Sequence, residues 1–196
     1  MKLSHFARLA CLLIAMIMLA ACQRHDEAAP WQLTDISGHM PDLSFRLTDD
    51  QGKHVTAADY RGKVTLLYFG YTHCPDVCPL TLEMIADTMD KLGAKASRVK
   101  PVFVTVDPAR DTPSVMKQYV SAFGKTFVGL TGSDTQIAQM TQEFHVYAKR
   151  RPVKGGDYAM DHSGAIYLLD PEGKFAGTYE EVQGPEKIAA DLRSRL

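Results

Sequence analysis

The sequence predicts an α/β domain in which a mixed sheet is flanked by helices. Apolar runs typical of strands alternate with segments of helical periodicity, an order that builds parallel strands. Toward the C-terminus, two further strand-like runs are joined by a tight-turn signal, which adds antiparallel strands. With 45% hydrophobic and 23% charged residues, the 196-residue chain is typical of one globular domain with an appendage.

The domain begins with a predicted β-hairpin. Residues 43–47 alternate apolar and polar side chains, 49–53 carry turn chemistry, and 54–56 form the returning strand. After a short connection, the continuous apolar run 64–70 is typical of a central strand that is buried on both faces.

A long helix is expected to follow this central strand, over residues 77–92. Pro79 falls in its first turn, where the missing N–H costs nothing. Leu80, Met84 and Met89 are spaced to supply its inner face.

The remaining elements are each marked by an apolar run or a cap. In chain order they are a strand at 99–107, a helix at 114–123 after the cap signal 111–113, a strand-like piece at 127–130, a helix from Ser133 or Asp134 to His145, a hairpin of 165–169 and 174–179, and a terminal helix from Pro185. This order, with two cysteines at the end of the first long strand, is the thioredoxin-like arrangement. The initial hairpin and the segment 107–132 are insertions of the kind seen in peroxiredoxin-like relatives. The predicted domain covers residues 41–196.

Residues 1–21 are predicted to be a lipoprotein signal peptide. Lys2 and Arg8 precede an uncharged apolar stretch that is too short for a comfortable membrane span. The run Leu19-Ala20-Ala21-Cys22 resembles a bacterial lipobox, so Cys22 is expected to carry the lipid and residues 22–40 to form a tether. This places the domain in the cell envelope, facing the periplasm and anchored to a membrane. An ordinary signal peptide or an uncleaved anchor is the alternative.

Two cysteines remain for chemistry in the mature chain. Cys11 leaves with the signal peptide and Cys22 is lipidated, so Cys74 and Cys78 remain, in the segment Tyr-Thr-His-Cys-Pro-Asp-Val-Cys-Pro at 71–79. Thiols at i and i+4 across a strand-to-helix turn close a disulfide or hold a soft metal ion. The positive end of the helix dipole is expected to lower both thiol pKa values. In an oxidising compartment such a pair rests as a disulfide, is kept reduced by a donor, or is protected by a metal.

Four segments together resemble the Sco/SenC family. They are 71–79, Val-Asp-Pro-Ala-Arg-Asp-Thr-Pro at 106–113, Gly-Leu-Thr-Gly at 129–132, and Asp-His-Ser-Gly-Ala-Ile-Tyr-Leu-Leu-Asp-Pro-Glu-Gly at 161–173. In that family the cysteines of the CxxxCP motif and the histidine of the Asp-His-Ser motif bind copper. Its members help to assemble the dinuclear copper A centre in subunit II of cytochrome c oxidase. The resemblance implies that Cys74, Cys78 and His162 are the copper ligands here.

The chemistry of this implied set agrees with copper. Two thiolates and an imidazole suit Cu(I), and they accept Cu(II) with a further weak ligand. A closed zinc site takes four protein ligands, whereas only two cysteines are available here, so the set is less suited to structural zinc. Nearby, His73 and Asp76 are candidates to tune the site, and Asp107 and Arg110 are candidates to orient the copper loop or dock a partner. The alternative for these residues, and for Asp111, is an ordinary turn whose side chains are paired or solvated.

Two functions of different classes follow from these residues. The first is a copper metallochaperone, which is not an enzyme and whose partners are subunit II of cytochrome c oxidase or a related oxidase and other periplasmic copper carriers. The second is a thiol–disulfide reductase, supplied by a thiol reductant, in which Cys74 and Cys78 keep the oxidase cysteines reduced.

Other functions are less well supported by the sequence. A thiol peroxidase would need a Pro-x-x-x-Thr-x-x-Cys setting, which is absent around Cys74. A structural disulfide between Cys74 and Cys78 would close so short a loop that it removes little chain entropy. The net charge of −1, with no block of like charge, argues against a nucleic-acid partner.

Overall fold

The computed structural model describes residues 43–196, which form nine strands and four α-helices. The strands are β1 (Arg46–Asp49), β2 (His54–Thr56), β3 (Val64–Gly70), β4 (Val99–Thr105), β5 (Val128–Thr131), β6 (Ala148–Pro152), β7 (Tyr158–His162), β8 (Ile166–Leu169) and β9 (Phe175–Tyr179). The helices are α1 (Val77–Leu92), α2 (Pro113–Ser121), α3 (Asp134–Glu143) and α4 (Gly184–Arg195).

The predicted N-terminal segments lie outside the described residues. These are the expected signal peptide at 1–21 and the expected tether at 22–40, which begins at the proposed lipidation site Cys22. Between residues 43 and 196, none of the helices combines the length and the apolar character needed to cross a bilayer.

Seven of the strands form one mixed sheet in the order β2-β1-β5-β4-β3-β8-β9. β3 lies parallel to β4 and β4 parallel to β5, whereas β8 pairs antiparallel with β3. α1 packs against α4, and α2 packs against β5. The predicted thioredoxin-like class, a mixed sheet with flanking helices and an added N-terminal hairpin, is confirmed. β5 joins the two insertions to the core, because it pairs with β1 on one side and β4 on the other.

The central strand β3 supports the candidate site. All seven of its residues are buried, as its continuous apolar run predicts. It ends at Gly70, where a Cβ atom would lie 2.7 Å from Cε2 of Phe103 and 2.8 Å from Sγ of Cys78. A glycine at this position therefore lets α1 bring Cys78 directly against the end of the strand.

Helix α1 has the predicted bounds, but the prediction for its inner face is wrong at one position. Met84 and Met89 are buried, whereas Leu80 is 48% exposed. The buried Cys78 fixes the rotation of the helix, and a residue two positions further on is turned by about 200° around the helix axis. Leu80 therefore faces solvent.

The β6–β7 hairpin is the element that the sequence does not predict. It pairs Ala148 with His162 and Pro152 with Tyr158 in a separate two-stranded sheet. β6 is rich in charged and exposed side chains, so it lacks the alternation that marks a half-buried strand. The usable signal is the turn at Gly155-Gly156, a dipeptide typical of hairpins.

Candidate metal centre

Cys74, Cys78 and His162 meet beside the carboxyl end of β3, although 84 positions separate Cys78 from His162 along the chain. One ligand atom from each residue lies within 4.8 Å of the other two, and Sγ of Cys78 is 3.2 Å from Nε2 of His162. Both thiols are free. Among the described residues, no other group of three His, Cys, Asp or Glu side chains has this spacing.

Cys78 is the inner thiol of the pair. It lies in the first turn of α1, it is fully buried, and its sulfur accepts a hydrogen bond from the hydroxyl of Tyr68 at 3.8 Å. Cys74 lies in the preceding loop and is half-buried, and its sulfur accepts the backbone N–H of Cys78 at 3.5 Å. The site is therefore closed at Cys78 and more open to solvent at Cys74.

The thiol of Cys78 is held in its neutral form. Burial raises its pKa far above the ordinary value of 9.0, and the nearby Cys74 thiol adds to the increase. The expectation that the helix dipole lowers both thiol pKa values is therefore wrong for Cys78, because desolvation of a thiolate in the core outweighs the field of a helix end. A bound cation would supply the charge that stabilises this thiolate.

His162 presents Nε2 to the thiols in a fixed tautomer. Its Nδ1 lies 2.9 Å from the carbonyl oxygen of Ser163, which can only accept a hydrogen bond, so Nδ1 carries the proton and Nε2 the free lone pair. The rings of Tyr68 and Tyr71 pack edge-on against the imidazole, with centroids 6.2 and 5.8 Å away. Burial lowers the pKa of His162, which favours the neutral form that binds metal.

A buried carboxylate holds the loop that carries Cys74. Asp111 accepts the backbone N–H of Thr72 at 3.1 Å and the Thr72 hydroxyl at 2.6 Å. It also accepts the hydroxyl of Thr105 at 2.5 Å, which joins the loop to the end of β4. Asp111 does not cap α2, because Thr112 occupies that position.

His73 and Asp76, which flank Cys74, are both exposed. The Nδ1 of His73 lies 3.1 Å from the Thr72 hydroxyl and 4.0 Å from the carboxylate of Asp111, and the ring is not part of the group of three candidate ligands. Asp76 occupies the N-cap position of α1 without a side-chain capping bond.

Asp107 is fully buried just beyond β4. Its carboxylate accepts the Nε–H of Arg110 and, at 2.8 Å, the hydroxyl of Tyr158. Tyr158 belongs to β7, the strand that ends at His162. Asp107 is therefore connected to the histidine side of the site.

Comparison with known proteins identifies the family. The family model described as SCO1/SenC matches residues 28–196. The chain belongs to this family.

Three members show the extent of the similarity. The chain is 43% identical over 155 residues to the mitochondrial SCO2 homolog of Bos taurus, covering 78% of this chain and 58% of that relative, so it spans less than two thirds of the relative's length. It is 46% identical to Bradyrhizobium japonicum ScoI, solved with copper bound, with a TM-score of 0.74 over 79% of this chain and 99% of that one. It is also 26% identical to BsSco, with a TM-score of 0.64 over 84% and 97% of the two chains. BsSco is described as having a disulfide switch and as a member of the Sco family of cytochrome c oxidase assembly proteins.

The residues around the ligands are the part of this Sco-family site that motifs do not reveal. Tyr68 gives one signal, because its hydroxyl lies in a mostly apolar strand and requires a buried partner. Asp111 lies in a recognisable motif, but its burial depends on contacts with residues far away in sequence. Tyr158 carries no signal, because the hairpin that positions it is not predicted.

Proposed function

We propose that this protein binds one copper ion through Cys74, Cys78 and His162 and delivers it to the copper A centre of cytochrome c oxidase subunit II. The observation that carries this proposal is the convergence of two sulfurs and a correctly protonated imidazole within 4.8 Å. This soft donor set favours Cu(I) in low coordination, and it accepts Cu(II) when one further weak ligand is added.

The difference in exposure between the two thiols supports delivery of the metal. Transfer between proteins proceeds through shared ligands, so the incoming sulfur must reach the metal before the old ligands leave. Cys74 lies on the open side of the site and Cys78 on the closed side. The client therefore displaces Cys74 first, while Cys78 and His162 hold the ion until transfer is complete.

His73 and Asp76 are proposed to tune this exposed side. The Thr72 hydroxyl donates to Asp111 and therefore accepts from Nδ1–H of His73, which anchors this exposed ring next to Cys74. The exposed carboxylate of Asp76 adds negative charge between the two cysteines, which favours a cation.

Attachment to a membrane is part of the same proposal. A lipid on Cys22 and a tether through residue 40 would hold the domain beside a membrane-embedded oxidase. The support is the lipobox-like run that ends at Cys22. Mass spectrometry of the protein extracted from membranes tests it: an N-terminal peptide beginning at an acylated Cys22 is expected, and a Cys22→Ala variant should lose the modification.

A second candidate function is thiol–disulfide exchange with the oxidase cysteines. It is favoured by the free state of both thiols and by the separation of their sulfurs, which is within 4.8 Å. The thiolate of Cys74 would attack a client disulfide and release one client thiol. Cys78 would then resolve the mixed disulfide, so that the client gains two electrons and Cys74–Cys78 becomes the disulfide.

Anaerobic copper titration of the reduced protein separates the two functions. We expect about one copper per chain and, for Cu(II), thiolate-to-copper charge-transfer bands that are lost in His162→Ala and Cys78→Ser but retained in the exposed control His54→Ala. Mixing the loaded protein with the pre-reduced copper-binding domain of subunit II should then produce the copper A absorbance. Weak binding that is indifferent to His162, together with rapid exchange with a client disulfide, would instead establish the reductase.

A further inference from the structure

We infer that Arg110 is a positioning residue that holds His162 against the two thiols, acting through Tyr158 and Tyr71. The inference rests on the proposed function in one respect, which is that His162 ligates copper. It concerns how this chain fixes a ligand that comes from an element outside the main sheet.

The β6–β7 hairpin, which carries His162, contacts the rest of the domain through side chains and not through strand pairing. β6 and β7 pair only with each other and form no strand pairing with the seven-stranded sheet. A groove of about 320 Å³ runs beneath the hairpin, lined by Val106, Ile137 and Met160 among others. Met160 is the one strand residue of the hairpin that is buried in the core, so polar contacts add to apolar packing in setting where the hairpin lies.

Arg110 makes such contacts from the loop after β4. Its Nε–H donates to the buried Asp107, and its Nη1–H donates to the carbonyl oxygen of Tyr158 at 3.0 Å and to Asp157 at 3.2 Å. The hydroxyl of Tyr158 in turn donates a hydrogen bond to Asp107 at 2.8 Å. These bonds form a closed ring that joins the loop after β4 to the start of β7, four residues before His162.

The guanidinium of Arg110 also approaches the faces of two aromatic rings. Cζ of Arg110 is 3.8 Å from the ring centroid of Tyr158 and 5.7 Å from that of Tyr71. Tyr71 packs edge-on against His162 and lies three residues before Cys74. Arg110 therefore contacts a residue that precedes the cysteine motif and a residue that precedes the histidine, and it sets the spacing between them.

A lysine cannot reproduce this arrangement. It keeps the charge opposite Asp107, but it lacks the planar group that stacks on Tyr158 and donates in two directions. Nη2 of Arg110 is buried without a hydrogen-bond partner among the described residues. This unpaired donor lowers the net stabilisation that the arginine brings, so its distinctive contribution is geometric.

The test is a double-mutant cycle of copper affinity between Arg110→Lys and His162→Ala. Cu(I) is titrated into the full-length reduced protein against a competing Cu(I) chelator. We expect Arg110→Lys to weaken binding by about tenfold when His162 is present. In the His162→Ala background it should change the affinity by less than about twofold, because the histidine through which it acts is absent. An equal loss in both backgrounds, or no loss in either, would overturn the inference.

Two further variants complete the design. Arg151→Lys is the matched control, because Arg151 is on the same hairpin and forms an exposed ion pair with Asp161; it should leave the affinity unchanged. Tyr158→Phe keeps the ring but removes the hydroxyl bond to Asp107, so it should also weaken copper binding. It replaces Arg110→Lys as the test if that variant fails to fold.

Amide hydrogen exchange of the copper-free protein gives a readout that does not depend on the proposed function. Arg110→Lys should speed exchange in β6 and β7 while β3 and β4 stay protected, and Arg151→Lys should not. If the wild-type protein binds no copper but this pattern appears, the proposed function fails and the positioning role of Arg110 stands. Unchanged exchange in the hairpin would contradict that role whatever the copper result.

Discussion

The sulfur of Cys78 lies 3.2 Å from Nε2 of His162, and the donor in this contact is the thiol. Nδ1 of His162 carries the ring proton because it faces the Ser163 carbonyl, so Nε2 can only accept. Burial raises the pKa of Cys78 and keeps its S–H intact. Without metal, a proton therefore occupies the line between sulfur and nitrogen, and a bound copper ion would replace it.

The two thiols should differ in reactivity in the metal-free protein. With a limiting amount of iodoacetamide near pH 7.5, we expect Cys74 to be alkylated well before Cys78, because Cys78 is fully buried and its raised pKa leaves little thiolate. Peptide mass spectrometry over time measures the two rates. Modification of Cys78 first, or at the same rate, would contradict this account of the site.

Gly70→Ala tests the close approach of β3 and α1. The added Cβ would lie 2.7 Å from the Phe103 ring and 2.8 Å from Sγ of Cys78, so the strand, the ring or the helix must move. We expect a loss of about 1–3 kcal/mol in the free energy of unfolding, measured by chemical denaturation, together with weaker copper binding.

Gly164→Ala is the matched control for this substitution. A Cβ at that position meets no atom within 4 Å, so stability and copper binding should stay near the wild-type values. A tolerated Gly70→Ala variant would show that Cys78 has room to shift and that the proximity is not required.

Much of the fold is predictable from the sequence, because it depends on local patterns, whereas the grouping of Cys74, Cys78 and His162 is implied by the resemblance to the Sco/SenC family. The apolar run of β3 and the caps of α2 and α3 fix those elements within a few residues. The hairpin of β6 and β7 is not predictable, because β6 is charged and mostly exposed and β7 is short, with Met160 as its one buried side chain. The geometry around the ligands depends on that hairpin, which explains why the part played by Tyr158 could not be anticipated.

The helix dipole gives a second example of this limit. The position of Cys78 at the start of α1 correctly indicates a helix N-terminus, and the sequence-based expectation of a lowered pKa follows from it. The sulfur is buried where α1 meets the end of β3 at Gly70, and it contacts His162, which is 84 positions away along the chain. Long-range packing thus reverses the sign of a local electrostatic effect.

Asp111→Asn should loosen the cysteine loop without removing a ligand. The carboxylate accepts three hydrogen bonds from Thr72 and Thr105, and an amide replaces one acceptor oxygen with a donor in a fully buried site. We expect the free energy of unfolding to fall by about 1–3 kcal/mol and copper affinity to fall with it. Thermal denaturation and copper competition measure the two effects.

Asp90→Asn is the corresponding control, because Asp90 is exposed on α1. It should change neither quantity appreciably. If Asp111→Asn behaves like this control, the buried carboxylate does not hold the loop.

The lowered pKa of His162 predicts how the stability of the metal-free protein depends on pH. In the unfolded chain the imidazole takes up a proton near its ordinary value of 6.5, whereas in the folded protein burial delays protonation to lower pH. Between these two pKa values the unfolded state binds more protons, so stability falls as pH decreases, with a slope of at most about 1.4 kcal/mol per pH unit from this group. Well above pH 6.5 the imidazole is neutral in both states, and this group no longer makes the stability depend on pH.

Chemical denaturation at a series of pH values from 7.5 down to 5 should therefore show a loss of stability that is smaller in His162→Gln, which cannot be protonated, than in the wild type. The exposed-site variant His54→Gln should follow the wild type, and an identical pH dependence in the wild type and His162→Gln would show that His162 is not buried in its neutral form.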